Sequence, residues 1–470
     1  MVARSRDVFI PASKKTYMKL TFHGAAKQVT GSNYLLEVNG AKYLIDCGLH
    51  QGGNFCERHN WNPFPYPPNE ISAVFVTHSH VDHIGRLPKL AREGFRGPVY
   101  STFPTKDAAE LLLLDSDHIL AQDAEKFKQP LLFTKDDVLK VMEQWHGVEY
   151  HTPIIVGSGK SQITATFGNA GNILGSSFLI IEAAGKKIIF SGDLGNSPSP
   201  IIGAREVAPV DADYAVMECT YGDRVHESME ERKGLLEDRI EETAKRNGVL
   251  VIPAFAMERT QELLFELHDL VREGRVPPIP VFVDSPLAIK LTEIYKKYAR
   301  YFDAATQKLI REKGSIFDFP GLKFTLSTEE SKHINDVPPP KIIIAGSGMS
   351  HGGRIMHHER RYLPGLENTL LIVGYQAVGS LGRQILDGVK TVRMFGEQIP
   401  VRCHIEVMRG YSAHADQPQL LEWLHPMRTH LKTVFLTHGE EEGAKVLAAK
   451  ISDELAIHAH IPSPDESFEL

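Results

Sequence analysis

Residues 73–83 read Ala73-Val74-Phe75-Val76-Thr77-His78-Ser79-His80-Val81-Asp82-His83. The first five form an apolar, β-branched run of the kind that makes a buried strand. The last six, H-x-H-x-D-H, place four metal-competent side chains in six positions, although the chain spreads its 22 histidines over 470 residues. Imidazole with carboxylate is the ligand set of a hydrolytic zinc site, because it leaves coordination positions open to water. The order predicts two adjacent sites. His78 and His80 face one ion from an extended loop, while Asp82 and His83 turn toward a second at the start of a helix. A lone histidine here would read as a surface or core residue. Four such groups, ending a strand and opening the amphipathic segment 84–93, read as metal ligands.

Composition bounds the rest. A chain of 470 residues exceeds one ordinary core, so two domains or one large elaborated domain are expected. An apolar content of 42% and a charged content of 24% are those of a soluble globular protein. The net charge is −7, from 52 basic and 59 acidic residues. That argues against gripping nucleic acid by bulk charge, though not against a local basic groove. Cys47, Cys56, Cys219 and Cys403 are far apart and form no C-x-x-C pair, which fits reduced thiols better than a disulfide frame. No signal peptide opens the chain and no apolar run reaches the roughly 18 residues of a membrane span. A cytoplasmic protein without a membrane partner is expected.

Short strands are predicted at residues 33–38 and 42–47 around an Asn39-Gly40 turn, and at 178–182 and 186–191 around Ala184-Gly185. A helical stretch covers 105–127. From about residue 223 the pattern alternates: helices over 227–246, 259–273 and 286–298, strands over 249–253, 280–283, 341–345 and 369–373. Such alternation implies a mainly parallel sheet covered by helices. The Gly-, Pro- and charge-rich segment 313–340 is expected to be an irregular connection.

Three later positions extend the opening cluster. Asp193 lies in Phe190-Ser191-Gly192-Asp193-Leu194-Gly195, a strand followed by a Gly-flanked turn, and one carboxylate there can bridge two cations. His438 ends another apolar run, Val434-Phe435-Leu436-Thr437-His438-Gly439, and His414 stands in Tyr411-Ser412-Ala413-His414-Ala415-Asp416. Each is a weak signal alone; together they are strong.

The set Thr77 to His83, Ser191-Gly192-Asp193 and Thr437-His438-Gly439 resembles the metallo-β-lactamase fold. Glu218-Cys219-Thr220-Tyr221-Gly222, Pro253-Ala254-Phe255-Ala256 with Arg259 and Gln261-Glu262, Asp284-Ser285-Pro286, Gly348-Met349 with Gly352-Gly353-Arg354, and Ser412-Ala413-His414-Ala415-Asp416 are similar to the signatures of the β-CASP nucleases. That branch includes RNase J and the pre-mRNA 3′-end-processing endonuclease. The resemblance implies an α/β fold: an αββα sandwich built from residues 1–222 and 411–470, with a β-CASP cap inserted at 223–410. It also implies two zinc ions on His78, His80, Asp82, His83, Asp193 and His438, and single-stranded RNA as the partner; the oligomeric state is left open by the sequence, a homodimer being one assembly to test. Hydrolysis would use metal-activated water, His414 as general acid oriented by Glu218, and Asp82 as ligand and proton acceptor.

Two turns add phosphate contacts to this expectation. Ser347-Gly348-Met349 and Gly352-Gly353-Arg354 precede a helix beginning near Ile355, and Gly379-Ser380-Leu381-Gly382-Arg383 is built alike. Backbone N–H groups at Ser347 and Gly348, with the forks of Arg354 and Arg383, suit phosphate oxygens.

One family ligand is missing. The A-G-H-I-L-G-S segment reads Ala170-Gly171-Asn172-Ile173-Leu174-Gly175-Ser176 here, and an amide oxygen is a poorer zinc ligand than imidazole. Asn172 is therefore expected to be a weak ligand, leaving the first site underfilled or better suited to Mn²⁺. Histidines 146, 151, 351, 357 and 358 are the candidates to replace it. The competing readings are a hydrolase of small esters, thioesters or lactams on the same fold, and an RNA-binding paralogue whose metal site is decaying. Cleavage inside the RNA is favoured over cutting from a 5′ end, since the sequence shows neither a KH-like segment before residue 18 nor a long domain after His438.

Overall fold

The computed structural model describes residues 17–51, 57–374, 376 and 379–470. Two seven-stranded sheets and one six-stranded sheet organise it. The first sheet runs, in spatial order, Ser467–Glu469, Met18–Phe22, Tyr34–Val38, Ala41–Ile45, Ile71–Phe75, Val99–Thr102 and Trp145–Val148. The second runs Ala459–His460, Thr433–Thr437, Tyr214–Glu218, Lys186–Phe190, Ser177–Ala183, Ile163–Asn169 and Ile154–Val156. Both sheets thus draw strands from the two ends of the chain.

Side chains alternate across each strand, and that period builds the layers. Leu20, Phe22, Tyr43 and Phe75 of the first sheet meet Phe167, Ile181, Phe190 and Phe435 of the second in one buried cluster. On the outer face of the first sheet, Leu44 and Val74 pack on Leu87, Leu113 and Val138, from the helices Leu87–Arg92, Phe103–Phe127 and Lys135–Glu143. On the outer face of the second, Ile189, Met217 and Leu436 pack on Leu420, Leu424 and Leu447, from Gln417–Leu424 and Glu441–Lys450. The result is the αββα sandwich expected. The hairpin turns fall where they were read, with Asn39 and Gly40 at φ 48° and 90°, the left-handed pair that a tight hairpin requires.

The third sheet is ordered Leu322–Phe324, Val281–Asp284, Lys341–Ala345, Val249–Pro253, Thr369–Ile372 and His404–Val407, and its ladders are all parallel. Leu250 and Ile252 face one helical layer with Leu264 and Leu267, while Val249 and Val251 face another with Ile355 and Ile385. Covered on both faces, the four inner strands are buried at every position, while the two edge strands are partly exposed. Ile173, Leu174, Met408 and Tyr411 join the first of these clusters, so sandwich and cap share apolar contact.

Two expectations need correction. The segment 313–340 is not wholly irregular: it supplies the edge strand Leu322–Phe324 and the helix Thr328–His333, whose Ser327 and Glu330 form a capping box. The helix expected to start at Asp82 and His83 and to run into the amphipathic segment 84–93 is split in two, Val81–Ile84 and Leu87–Arg92. Pro88 has no N–H for the Ile84 carbonyl and its ring would strike that oxygen, so a continuous helix is broken there. Cys47, Cys219 and Cys403 are buried free thiols, as expected, and Cys56 lies outside the described residues. The expectation about the segment before residue 18 likewise falls almost wholly outside them. Among the described residues, no helix is long and apolar enough to cross a membrane.

Candidate metal centre

The site sits at the carboxyl ends of strands from both sandwich sheets, three of them neighbours in the second sheet, where loops leave the strands and side chains can converge. His78 follows Ile71–Phe75, Asp193 follows Lys186–Phe190, Glu218 ends Tyr214–Glu218, and His438 follows Thr433–Thr437. Parallel pairing of the last two places Glu218 opposite Thr437, so His438 arrives beside the carboxylate end. The loop 78–83 is tied down by its neighbours: Cys47 N donates to His83 O at 2.7 Å and Ser32 N to Asp82 O at 2.9 Å. Gly48 permits this approach, because a Cβ there would lie 1.5 Å from the Asp82 carbonyl oxygen.

Three groups of side chains converge: His78, His80 and Asp193; Asp82, His83 and His438; and Asp193, His414 and His438, each with its ligand atoms within 4.8 Å of one another. His78 Nε2 stands 3.0 Å from His80 Nδ1 and 3.3 Å from Asp193 Oδ2. His83 Nε2 stands 3.3 Å from Asp193 Oδ1, and His438 Nε2 is 3.2 Å from both His83 Nε2 and Asp82 Oδ2. Ring nitrogens facing ring nitrogens cannot all be satisfied by single protons, whereas a cation between them satisfies each lone pair. Asp193 Oδ1 is also buried without a hydrogen bond. The donor set therefore fits divalent cations.

The outer ring nitrogens are already engaged, which turns the inner ones toward the centre. His83 Nδ1 lies 2.8 Å from Asp46 Oδ2, His78 Nδ1 is 3.1 Å from Thr77 Oγ1, and His438 Nδ1 is 3.1 Å from Thr220 Oγ1. Partners of this kind select the tautomer and raise ligand basicity. Burial, reinforced by neighbouring His78, pushes His80 down to about 3, so it presents a neutral, metal-competent ring. Burial would push the Asp193 carboxyl up, but the imidazoles of His438, His83 and His78 outweigh it and hold the group well below the carboxylate range. Burial likewise opposes Asp82, and His438 and His83 pull it down. A carboxylate held low suits a cation better than a proton.

Glu218 and His414 stand at the edge of the same site. His414 Nδ1 is 3.1 and 3.2 Å from the two Glu218 oxygens and 3.8 Å from Asp193 Oδ2. Glu218 is itself fixed by Leu194 N at 2.7 Å and Thr220 N at 3.3 Å. Burial pulls His414 down, yet the Glu218 and Asp193 carboxylates push it up to about 9, so it holds a proton at neutral pH.

Asn172 is buried, and its amide donates to Ala413 O at 3.1 Å while its Oδ1 has no partner. Among the described residues, none of histidines 146, 151, 351, 357 and 358 joins a ligand group. His358 is buried 2.7 Å from Asp284, and His151 pairs with Glu206. The Gly-rich turns differ from the reading in one respect. Arg354 gives three of its five donors to Asp284 Oδ1, Thr325 O and Leu326 O, at 2.8, 3.0 and 2.8 Å. It braces the turn from behind instead of offering its whole fork outward. Ser347 Oγ accepts from His351 N within that turn, Gly348 packs on the Phe255 ring, and Arg383 pairs with Asp387 at 2.9 Å.

Asp46 is the functional side chain that the sequence reading missed. It is fully buried at φ 58° and accepts from Thr77 N and Thr77 Oγ1 as well as facing His83. Its signal was present, since a carboxylate closing the apolar strand Ala41–Ile45 before Gly48 repeats the pattern of Asp193.

Comparison with known proteins gives matches in the same order along the chain. A metallo-beta-lactamase superfamily domain matches residues 35–202, a Beta-Casp domain 260–385, and a Zn-dependent metallo-hydrolase RNA specificity domain 398–462. A ribonuclease of Thermus thermophilus is 38% identical, covering 92% of this chain and 95% of its own. The transcription termination factor FttA of Methanosarcina mazei is 32% identical over 97% of this chain and 72% of its own. Integrator complex subunit 11 of Gallus gallus is 27% identical over 96% and 73%. A crystal structure of a protein of unknown function from Enterococcus faecalis covers 97% of this chain and 100% of that one, with a TM-score of 0.55 at 14% identity, a likeness of fold alone.

Proposed function

The chain belongs to the β-CASP family of metallo-β-lactamase-fold ribonucleases, and from that premise we propose that it hydrolyses phosphodiester bonds of single-stranded RNA, with His414 as general acid. The observation that carries this reading is the meeting of two ligand groups at Asp193 with the Glu218–His414 pair at their edge. His78, His80 and Asp193 would hold one cation, and Asp82, His83, Asp193 and His438 a second. Bound there, divalent cations would make water nucleophilic at neutral pH and neutralise the phosphate oxygens.

The chain's own residues supply the rest. Asp46, Thr77 and Thr220 orient the ligand rings. Glu218 keeps a proton on His414 and aims it into the site. Water oxygen forms a bond to phosphorus as the bond to the 3′ oxygen breaks, and that oxygen takes the His414 proton, leaving a 5′-phosphate and a 3′-hydroxyl. The proton that the water loses passes to bulk solvent, from which His414 is recharged. Asp82 is kept as a ligand, and its added role as proton acceptor draws no support from a carboxyl held low.

Zinc as the ion, two ions per chain, a homodimer, a cytoplasmic location and domain limits of 1–222, 223–410 and 411–470 are finer parts of the same proposal. So is internal cleavage, with cutting from a 5′ end as the alternative. Labelled single-stranded RNA, linear and circular, is incubated with the protein and Zn²⁺ or Mn²⁺, beside Asp193→Ala and His414→Ala. Metal-dependent cleavage lost in both variants is expected, and cleavage of the circle marks internal cutting. Equal inertness of all three proteins, with RNA still bound, would favour the non-catalytic paralogue.

A further inference from the structure

Taking His414 as the acid, as proposed above, we infer that the cap positions it: the buried side chains Arg232 and Glu266 fix Tyr411, and through it the turn that carries His414. Arg232 stands on the helix Met229–Lys245 and Glu266 on Arg259–Arg272, and both are almost fully buried. Arg232 reaches Glu266 Oε1 through Nε at 2.9 Å and Nη2 at 2.5 Å, and its Nη1 donates to Gly410 O at 2.9 Å. The guanidinium carbon lies 4.4 Å from the centre of the Tyr411 ring. The Tyr411 hydroxyl, with no solvent contact, donates to the other Glu266 oxygen. Glu262 completes the group, 3.8 Å from Arg232 and 2.6 Å from Arg259.

Only Ser412 and Ala413 separate Tyr411 from His414, and the far side of that turn is held by the sandwich. Ala413 O accepts from Asn172 Nδ2 at 3.1 Å and from Asn196 N at 2.8 Å, and Ala415 N donates to Leu194 O at 2.7 Å. His414 is therefore mounted on a short strap anchored on one side to cap residues and on the other to the sandwich. The cap end is anchored by charged, directional bonds. Apolar packing would hold the helices with less desolvation, whereas a satisfied polar network specifies one geometry. Misplacing a reacting group by about 1 Å costs about 10²-fold in rate.

The test uses the full metal-loaded chain with Tyr411→Phe and Arg232→Lys, and His414→Ala as reference. One substrate is an RNA oligonucleotide. Its twin carries sulfur in place of the 3′ bridging oxygen at the scissile linkage, so a thiolate leaves without needing a proton. Each positioning variant is expected to lose tenfold or more of kcat on the oxygen substrate, with KM within threefold and the sulfur substrate cleaved within threefold of wild type. Metal content should be unchanged. His414→Ala should show the same selectivity, more strongly. If His414→Ala is selective while both positioning variants slow the two substrates equally, or neither, the cap's positioning role is overturned and the acid assignment stands. If His414→Ala is itself unselective, the acid assignment fails and the positioning role with it. Tyr411→Phe removes one hydroxyl only, so it carries the test if Arg232→Lys does not fold.

Discussion

Replacing Asp46 by Asn changes one oxygen to an amide while keeping shape, and it tests how far the metal ligands depend on what lies behind them. Asp46 accepts three contacts at 2.8 Å, from Thr77 N on Oδ1, and from Thr77 Oγ1 and His83 Nδ1 on Oδ2. Asparagine offers a single acceptor. If its oxygen serves His83, the amide faces the Thr77 N–H, donor against donor; if it serves Thr77 N, His83 loses the group that fixes its tautomer. Backbone strain does not confuse the result, because Asn tolerates the left-handed φ of 58° as well as Asp does. A buried donor left unpaired costs ~1–3 kcal/mol of stability. Loss of the partner behind a metal-bound His typically weakens metal affinity about 10- to 100-fold, or ~1.4–2.7 kcal/mol. Competition with a chromophoric chelator measures the zinc affinity of wild type and variant, and cleavage assays at excess zinc should recover most of the lost activity. An affinity within threefold of wild type, in a variant that melts cooperatively, would refute the dependence on Asp46.

Three further outcomes follow from the site and the cap. His414→Ala should lower kcat by about 10²–10⁴-fold with little change in KM, read by single-turnover and steady-state cleavage of RNA. Asn172→His should supply the missing imidazole beside Ala413, raising metal bound per chain after dialysis, and equal content in both proteins would show that the first site was already full. Glu359 is buried with Ser350 Oγ donating to one oxygen at 2.5 Å, and burial pushes it up from 4.5 to about 7 although the hydroxyl pulls the other way. A carboxyl raised on folding favours the protonated native state, so wild type loses stability as pH rises from about 4.5 to about 7. Glu359→Gln should therefore gain on wild type across that window by about 3 kcal/mol, seen in denaturant melts at pH 4.5 and 8, and a constant gap would contradict it.

Much of this molecule is legible residue by residue, because much of it is decided over short distances along the chain. Alternation gave the sandwich strands, unbroken apolar runs gave the parallel cap sheet, and Asn39-Gly40 is a hairpin wherever it occurs between strands. The cluster His78, His80, Asp82 and His83 is equally local: six residues on one loop carry their own chemistry. Elements of three to six residues were less visible, so Leu322–Phe324 and Thr328–His333 passed as irregular, and the break enforced by Pro88 was overlooked. What the sequence by itself determined is the type of chemistry and the elements that bear it. Only the tertiary structure decided which groups meet. Parallel pairing of Tyr214–Glu218 with its neighbours on either side brings Asp193 and Glu218 together with His438, which lies 220 residues beyond Glu218 in the chain. The same packing turns Arg354 inward onto Asp284, places Asp46 behind His83, and ties Tyr411 to Arg232 and Glu266. The reason is physical: a ligand's identity is a property of one side chain, but its proton, tautomer and aim are set by neighbours that strand register and burial choose.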